Sequence, residues 1–301
     1  MKSKTTAKIK KSISIKILFF IMIAFMIVVL WRLFPTEQKT FITNDRMKEI
    51  QTIVDDASKG KVQANWKNVA AITAIEYNIE TVDPYKIEQT TNLFIEKDGN
   101  KYRLKDIEDV MVTLNYSDDQ KAKVKSYLSY LDSLNKGDKS EQYEFIADIE
   151  NAAVDNYKEY GILPSITIAQ AILESEWGKS GLSQKYNNLF GIKGHNWDGA
   201  VASMDTKEFY NQKVKSDFRA YNSFDESIDD HGAFLKENKR YTKHGLFAGN
   251  TYMEQAQALE DAGYSTAENE NGEKIYCQML VDIIQQYQLQ LIDSNVTNDK
   301  L

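Results

Sequence analysis

The sequence predicts a mainly α-helical protein in three parts: an N-terminal membrane-spanning helix, a helical region, and a C-terminal α+β domain with a small β-hairpin lobe. Three observations carry that reading. Fifteen apolar residues run unbroken from Ile17 to Trp31. Beyond residue 43, apolar side chains recur mostly at three- and four-residue spacing, the period of a helix with one buried face. Paired strands are expected in only two short places, around Asp98-Gly99 and around Asn211-Gln212.

The N-terminus is different in kind from the rest. Lys2, Lys4, Lys8, Lys10, Lys11 and Lys16 precede the apolar run, and Arg32 follows it. With Ile13, Ile15, Leu33 and Phe34 the segment reaches the ~20 residues that a bilayer requires, and Lys16 and Arg32 can snorkel to its faces. The excess of lysine makes residues 1–12 a cytoplasmic basic tail, and Trp31 suits the outer interface. The following WRLFPTEQK offers no small-x-small cleavage site. Residues 13–34 therefore read as an uncleaved signal anchor rather than a cleaved signal peptide. The expected location is the cell membrane, single-pass, with the body outside.

Composition bounds the remainder. The 301 residues allow about two domains. A hydrophobic share of 42% and a charged share of 27% are those of a chain that can build a core. The first 34 residues hold seven basic and no acidic side chains, so against a total of −7 the rest carries −14 (−7 less +7). So acidic a body is not a nucleic-acid binder. The single cysteine, Cys277, excludes an internal disulfide and a cysteine-built metal site. His195, His231 and His244 show no ligand spacing, and neither metal nor cofactor is expected.

Residues 35–139 read as a helical membrane-proximal region. Met47, Ile50, Ile53 and Val54 form one stripe, ended near Gly60. Trp66, Val69, Ala70, Ile72 and Ile75 form a second, closed by Asp83-Pro84. Asp98-Gly99 fits a hairpin turn or a simple loop. Further stripes follow at Ile107–Leu114 and Ala122–Leu134, and Gly137-Asp138-Lys139-Ser140 marks a boundary. This region has too many apolar stripes for a flexible stalk. Packing on the next domain, holding it at a set height, and binding a membrane-protein partner all remain open roles.

Residues 140–293 hold the stretch that carries chemistry, ILPSITIAQAILESEWGKSGLSQKYNNLFGIKG from Ile162 to Gly194. Pro164 suits a first helical turn and Ser165 a helix start. Ile166, Ala169, Ile172 and Leu173 make the buried stripe, and Gly178 and Gly181 stop the helix. Thr167, Gln170 and Glu174 set a polar line along it. Glu174 lies in the last turn, where the helix dipole and apolar surroundings both disfavour a negative charge and raise its pKa. A raised carboxyl is what a general acid needs near neutral pH. Glu176 falls about 200° away on another face and reads as solvent-facing. Strands at Ala200–Tyr210 and Lys213–Tyr221 follow, then a capping box Ser223–Glu226 opening a helix. Helices near Tyr252–Asp261 and Glu273–Leu291 come next, and residues 294–301 form a polar tail.

AQAILESEWG followed by NNLFGIKG resembles the signature of glycoside hydrolase family 73, the peptidoglycan β-N-acetylglucosaminidases of the lysozyme-like superfamily. The resemblance extends over Thr206-Lys207-Glu208, the run from Phe218 to His231, and Ala262-Gly263-Tyr264-Ser265-Thr266. It implies a lysozyme-like α+β catalytic domain and a membrane-anchored endo-β-N-acetylglucosaminidase. Glu174 would be the general acid, Glu208 a second carboxylate on the hairpin lobe, and Tyr264 would face the reacting sugar. Gln170, Asn188, Phe190 and Tyr221 would contact substrate, and Trp177 would pack.

Glycoside cleavage needs a proton for the leaving oxygen and stabilisation of a sugar cation. It proceeds by a covalent route when the two carboxyls lie about 5–5.5 Å apart and by inversion at about 6.5–9.5 Å. Attack by the substrate's own acetamido group is a further route. The implied partner is the glycan strand of peptidoglycan, which an acidic body does not approach by charge, so that tethering must supply local concentration. A lytic transglycosylase or muramidase acting on the same polymer, and a catalytically silent wall-binding scaffold, are the alternative readings.

Overall fold

The computed structural model describes residues 42–134, 141–208 and 212–298, with side chains left undescribed at 205–214 and 298. The expected anchor at 13–34 and the boundary at 137–140 lie outside these residues. Among the described residues no helix is long and apolar enough to cross a membrane. Residues from Ile42 onward form one compact unit.

The first half of that unit is helical, as its stripes predict. Helix α1 (Asn44–Ser58) is capped by Thr43, whose side chain accepts from the Arg46 N–H. Helix α2 (Trp66–Glu76) is capped by Asn65. Asp83-Pro84 does not merely close the second stripe: Asp83 caps and Pro84 opens a further helix, α3 (Pro84–Phe94), which the sequence reading missed. The hairpin is real, with β1 (Ile95–Asp98) paired antiparallel to β2 (Lys101–Leu104), Asp98 opposite Lys101. Helices α4 (Ile107–Thr113) and α5 (Asp118–Ser133) follow, the latter opened by a Ser117/Gln120 capping box. Ile50, Trp66, Ile87, Met111 and Leu131 are all buried in the core of this half.

A second core is built around α6 (Glu141–Tyr160), α7 (Pro164–Ser175) and a short α8 (Gly181–Tyr186). The hairpin β3 (Val201–Glu208) and β4 (Gln212–Arg219) then projects, registered Val201 to Arg219 and Glu208 to Gln212. Helices α9 (Phe224–Glu237), α10 (Lys239–Lys243), α11 (Tyr252–Asp261), α12 (Tyr276–Tyr287) and α13 (Gln290–Asn298) complete it. The helix at Ser223 is half a capping box. Ser223 accepts from the Glu226 N–H, but the Glu226 carboxylate turns to the N–H of Asn222.

Four expectations change. Gly181 starts α8 rather than stopping α7, because the Ser180 hydroxyl caps it. The long C-terminal helix breaks at Gln288, which adopts left-handed φ 56°. The chain after the break is α13, so residues 294–298 are helix and not polar tail. Ser165 is not a start residue either. It lies inside α7, and both its N–H and its hydroxyl donate to Asp293 of α13, at 2.9 and 2.6 Å. A carboxylate more than a hundred residues away thus caps the helix that carries Glu174.

The two cores meet through buried polar groups. The Tyr252 hydroxyl donates to Asp55 of α1 at 2.6 Å, and Gln63 donates to the same carboxyl at 2.7 Å. The Gly60 N–H donates to Glu254 of α11 at 2.7 Å, and Leu291 of α13 packs on the N-terminal core. Burial pushes Asp55 up to about 6 and Asp293 up to about 7, partly offset by the hydrogen bonds each accepts.

In the unfolded chain both acids ionise near pH 4. As pH rises from there towards 7, the unfolded state loses protons that the native state keeps, so stability falls across that window and levels off above it. Thermal melts from pH 4 to 8 should therefore show a smaller loss of melting temperature in Asp55→Asn and Asp293→Asn than in the parent. Equal slopes would mean the two carboxyls ionise normally in the fold.

Candidate active site

Helix α7 is apolar almost all round, with ten of its twelve residues buried. Its polar line is consequently a string of internal hydrogen bonds. Thr167 accepts from Asn156 of α6 at 3.3 Å, and Gln170 donates from Nε2 to the Tyr276 hydroxyl at 3.1 Å. The Tyr276 hydroxyl in turn donates to Glu174 Oε1 at 2.9 Å. Beyond Glu174 the chain turns left-handed three times in succession, at Glu176 (φ 54°), Trp177 (φ 63°) and Gly178 (φ 70°). A Cβ on Gly178 would lie 2.8 Å from the Phe145 ring, so a side chain is excluded there both by φ and by space.

Glu174 reaches solvent, yet protein atoms fill most of the volume around its carboxyl. Contact with water and full hydration are different properties. The crowding raises its pKa above the usual carboxylate range, and the Tyr276 hydrogen bond pulls in the opposite direction. Glu176 is exposed, as its place on the helix predicts. Trp177 packs edge-on against Tyr287, with ring centroids 4.9 Å apart, and against Phe145.

Tyr264 is brought to the same place. Gly263, at φ 70°, ends α11 and turns the tyrosine back so that its ring stacks on Tyr276, centroids 5.4 Å apart and 22° between planes. Its hydroxyl lies 3.2 Å from His231 Nε2. Burial, then the charge of Glu174, holds the Tyr264 phenol well above its ordinary value. His231 is fully buried, stacked on Phe190 at 3.8 Å, and pushed down to about 3 by burial, so it is neutral at any working pH. Glu208 ends β3, and its side chain lies outside the described residues.

The four residues expected to touch substrate are all buried, and each makes contacts inside the protein. Gln170 serves Tyr276, and Phe190 serves His231. Asn188 is 1% exposed, and its amide donates to the carbonyls of Ile192 and Arg219 while accepting from the Ile192 N–H. Tyr221 donates to Asp230 at 2.6 Å, beside the Arg219–Asp230 ion pair that pins the root of the hairpin to α9. Sequence reasoning missed Tyr276, which lies within the helix expected near Glu273–Leu291. Nothing in spacing alone distinguishes a core tyrosine from one whose hydroxyl reaches a carboxyl.

A carboxyl of raised pKa at a solvent-reaching helix end, backed by phenols and without metal-ligand spacing, fits acid–base chemistry at a glycosidic bond. A model of the glucosaminidase family, described as mannosyl-glycoprotein endo-beta-N-acetylglucosaminidase, matches residues 150–289. The chain is 42% identical over 160 residues to exo-glucosaminidase LytG of Bacillus subtilis, spanning 51% of this chain and 54% of that protein. It is 34% identical over 166 residues to peptidoglycan hydrolase FlgJ of Escherichia coli, spanning 52% and 49%. It thus spans about half the length of the curated relatives it matches. The catalytic domain of the autolysin Auto from Listeria monocytogenes aligns with TM-score 0.46 and 30% identity over 59% of this chain and 98% of that one.

Residues 150–289 thus match the glucosaminidase family, and the curated relatives carry the names of a glucosaminidase and a peptidoglycan hydrolase.

If Asn188 holds the turn, Asn188→Ala removes three hydrogen bonds to the main chain, although the Ile192 carbonyl keeps the Arg219 N–H at 3.0 Å. Urea denaturation should show a loss of about 1–3 kcal/mol. A loss under about 0.5 kcal/mol, the size of an ordinary surface change, would show that the amide is replaceable.

Proposed function

We propose that the protein is a membrane-anchored β-N-acetylglucosaminidase that hydrolyses the glycan strands of bacterial peptidoglycan, with Glu174 as general acid. The observation that carries this is the Glu174 carboxyl itself. It reaches solvent, its pKa is raised by crowding, and the Tyr276 hydroxyl grips one of its oxygens. Such a group holds a proton at a pH where an ordinary carboxyl has lost it, and can hand it to a leaving sugar oxygen. The relatives' names, exo-glucosaminidase and peptidoglycan hydrolase, support the substrate. Tyr264 stands beside Tyr276 with a phenol that keeps its proton, able to donate to the reacting sugar or its acetamido group. Glu208 is the second carboxylate, as base for the attacking water or as stabiliser of the sugar cation. The endo mode of cutting, which leaves internal fragments, belongs to the proposal together with the bond.

Mass spectrometry of peptidoglycan digested by the purified protein should find new reducing-end N-acetylglucosamine, released in oligomers. Anhydro-muramic ends would replace hydrolysis by a lytic transglycosylase, muramic reducing ends would move the cut to the other bond, and single sugars would make the enzyme exo-acting. Glu174→Gln should lower turnover by at least about a hundredfold with an unchanged melting temperature. Retained turnover would assign the acid elsewhere.

The apolar run at 13–34 supports anchoring with the body outside the membrane. The full chain should stay with membranes through a carbonate wash, whereas residues 35–301 should appear in the soluble fraction and keep cleaving isolated sacculi. A full chain released by carbonate would remove the anchor from the proposal.

A further inference from the structure

Glu174 has two carboxyl oxygens, and the protein treats them differently. Oε1 accepts from the Tyr276 hydroxyl at 2.9 Å, and the Tyr276 oxygen accepts from Gln170 Nε2 at 3.1 Å. Gln170 is fully buried and Tyr276 is 2% exposed, so water does not compete for either bond. The phenol is fixed from three sides. Its ring stacks on Tyr264, its position opens α12, and the next N–H, of Cys277, is held at 2.9 Å by Glu260 of α11.

The direction of donation follows from the donors available. An amide N–H aimed at the phenol oxygen leaves the phenol hydrogen free for only one acceptor, Glu174 Oε1. The phenol does not give that hydrogen up, because burial and then the neighbouring Tyr264 and Glu174 hold its pKa well above the ordinary value. A carboxyl oxygen that already accepts such a bond is the poorer seat for a second proton.

We infer that Tyr276, aimed by Gln170, is the positioning residue of the general acid: it occupies Oε1, so that the transferable proton sits on Oε2. This rests on Glu174 being the acid. Tyr276 also favours the ionised carboxyl, and so tempers the upward push of burial and lets the acid be re-formed and lost within one cycle. The polar line on α7 is thus a relay of orientation from Gln170 through Tyr276 to Glu174.

Tyr276→Phe keeps the ring stacked on Tyr264 and removes only the hydroxyl. With it goes the one hydrogen bond that favours ionised Glu174, so the carboxyl should hold its proton to higher pH. The alkaline limb of kcat/KM against pH should move upward, while kcat at the optimum falls by about tenfold to a hundredfold, the range for losing a hydrogen bond to a charged group. Gln170→Met keeps the hydroxyl but frees it to turn, and should shift the limb the same way by a smaller amount. It also decides the matter should Tyr276→Phe fail to fold. A rate loss with an unmoved or lowered limb in a folded variant makes Tyr276 structural support and overturns the inference. Glu174→Gln, run beside them, separates the two levels. If it still turns over, the acid itself is misassigned. If it is inactive and the limbs do not move, only the role of Tyr276 falls.

Discussion

One constraint organises the domain. Helix α7 is buried over ten of its twelve residues, and a buried polar group without a partner costs about 1–3 kcal/mol. Each polar residue on that helix therefore fixes something else in place. Ser165 recruits Asp293, Thr167 recruits Asn156, and Gln170 recruits Tyr276. Ser175 accepts the Gly178 N–H at 2.7 Å and so shapes the left-handed exit. Glu174 alone stands where its carboxyl reaches solvent. The helix is less a carrier of one catalytic group than a peg whose polar notches set the positions of four other elements.

Much of this was legible beforehand, because a helical stripe and a polar line of i, i+3 and i+7 follow from sequence spacing. The raised pKa of Glu174 was predicted in direction, but the leading cause is crowding, with Tyr276 opposing it. What remained hidden is long-range. Asp293 falls between the last expected helix and the expected polar tail, because the break at Gln288 needs a left-handed φ that glutamine seldom takes. Once the chain folds back there, an ordinary aspartate becomes the cap of a helix more than a hundred residues earlier. Asn188 and Tyr221 show the converse: residue types that suit sugar contact are, in the fold, consumed by carbonyls and an ion pair.

The hairpin lobe follows the same economy. Its root is fixed by Asn188, by the Arg219–Asp230 ion pair, and by Arg219 lying 4.5 Å over the Trp197 ring. The bonds lie at the base of the strands, near Val201 and Arg219, whereas Glu208 is at the far end of β3. Glu174 thus stands on a packed helix, whereas Glu208 ends the first strand of a hairpin whose described fixings lie at its base.

The helical region before residue 134 lies outside the stretch that matches the family, yet it is not a spacer in the way it packs. Glu254 divides its carboxylate between the N-terminus of α11, which it caps, and the Gly60 N–H. Tyr252 of the same helix gives its hydroxyl to Asp55, with Gln285 of α12 donating to that hydroxyl. Helices α11 and α12 lead, respectively, into Gly263-Tyr264 and out of Tyr276. Tyr276 and Tyr264 therefore stand on, or directly after, helices whose other ends the helical region grips. Taking that region away would leave Tyr252 and Leu291 uncovered and remove Asp55 from beside Asp293. The chain before the matched stretch is thus part of what holds α7, and its apolar stripes belong to the same folded body as Glu174.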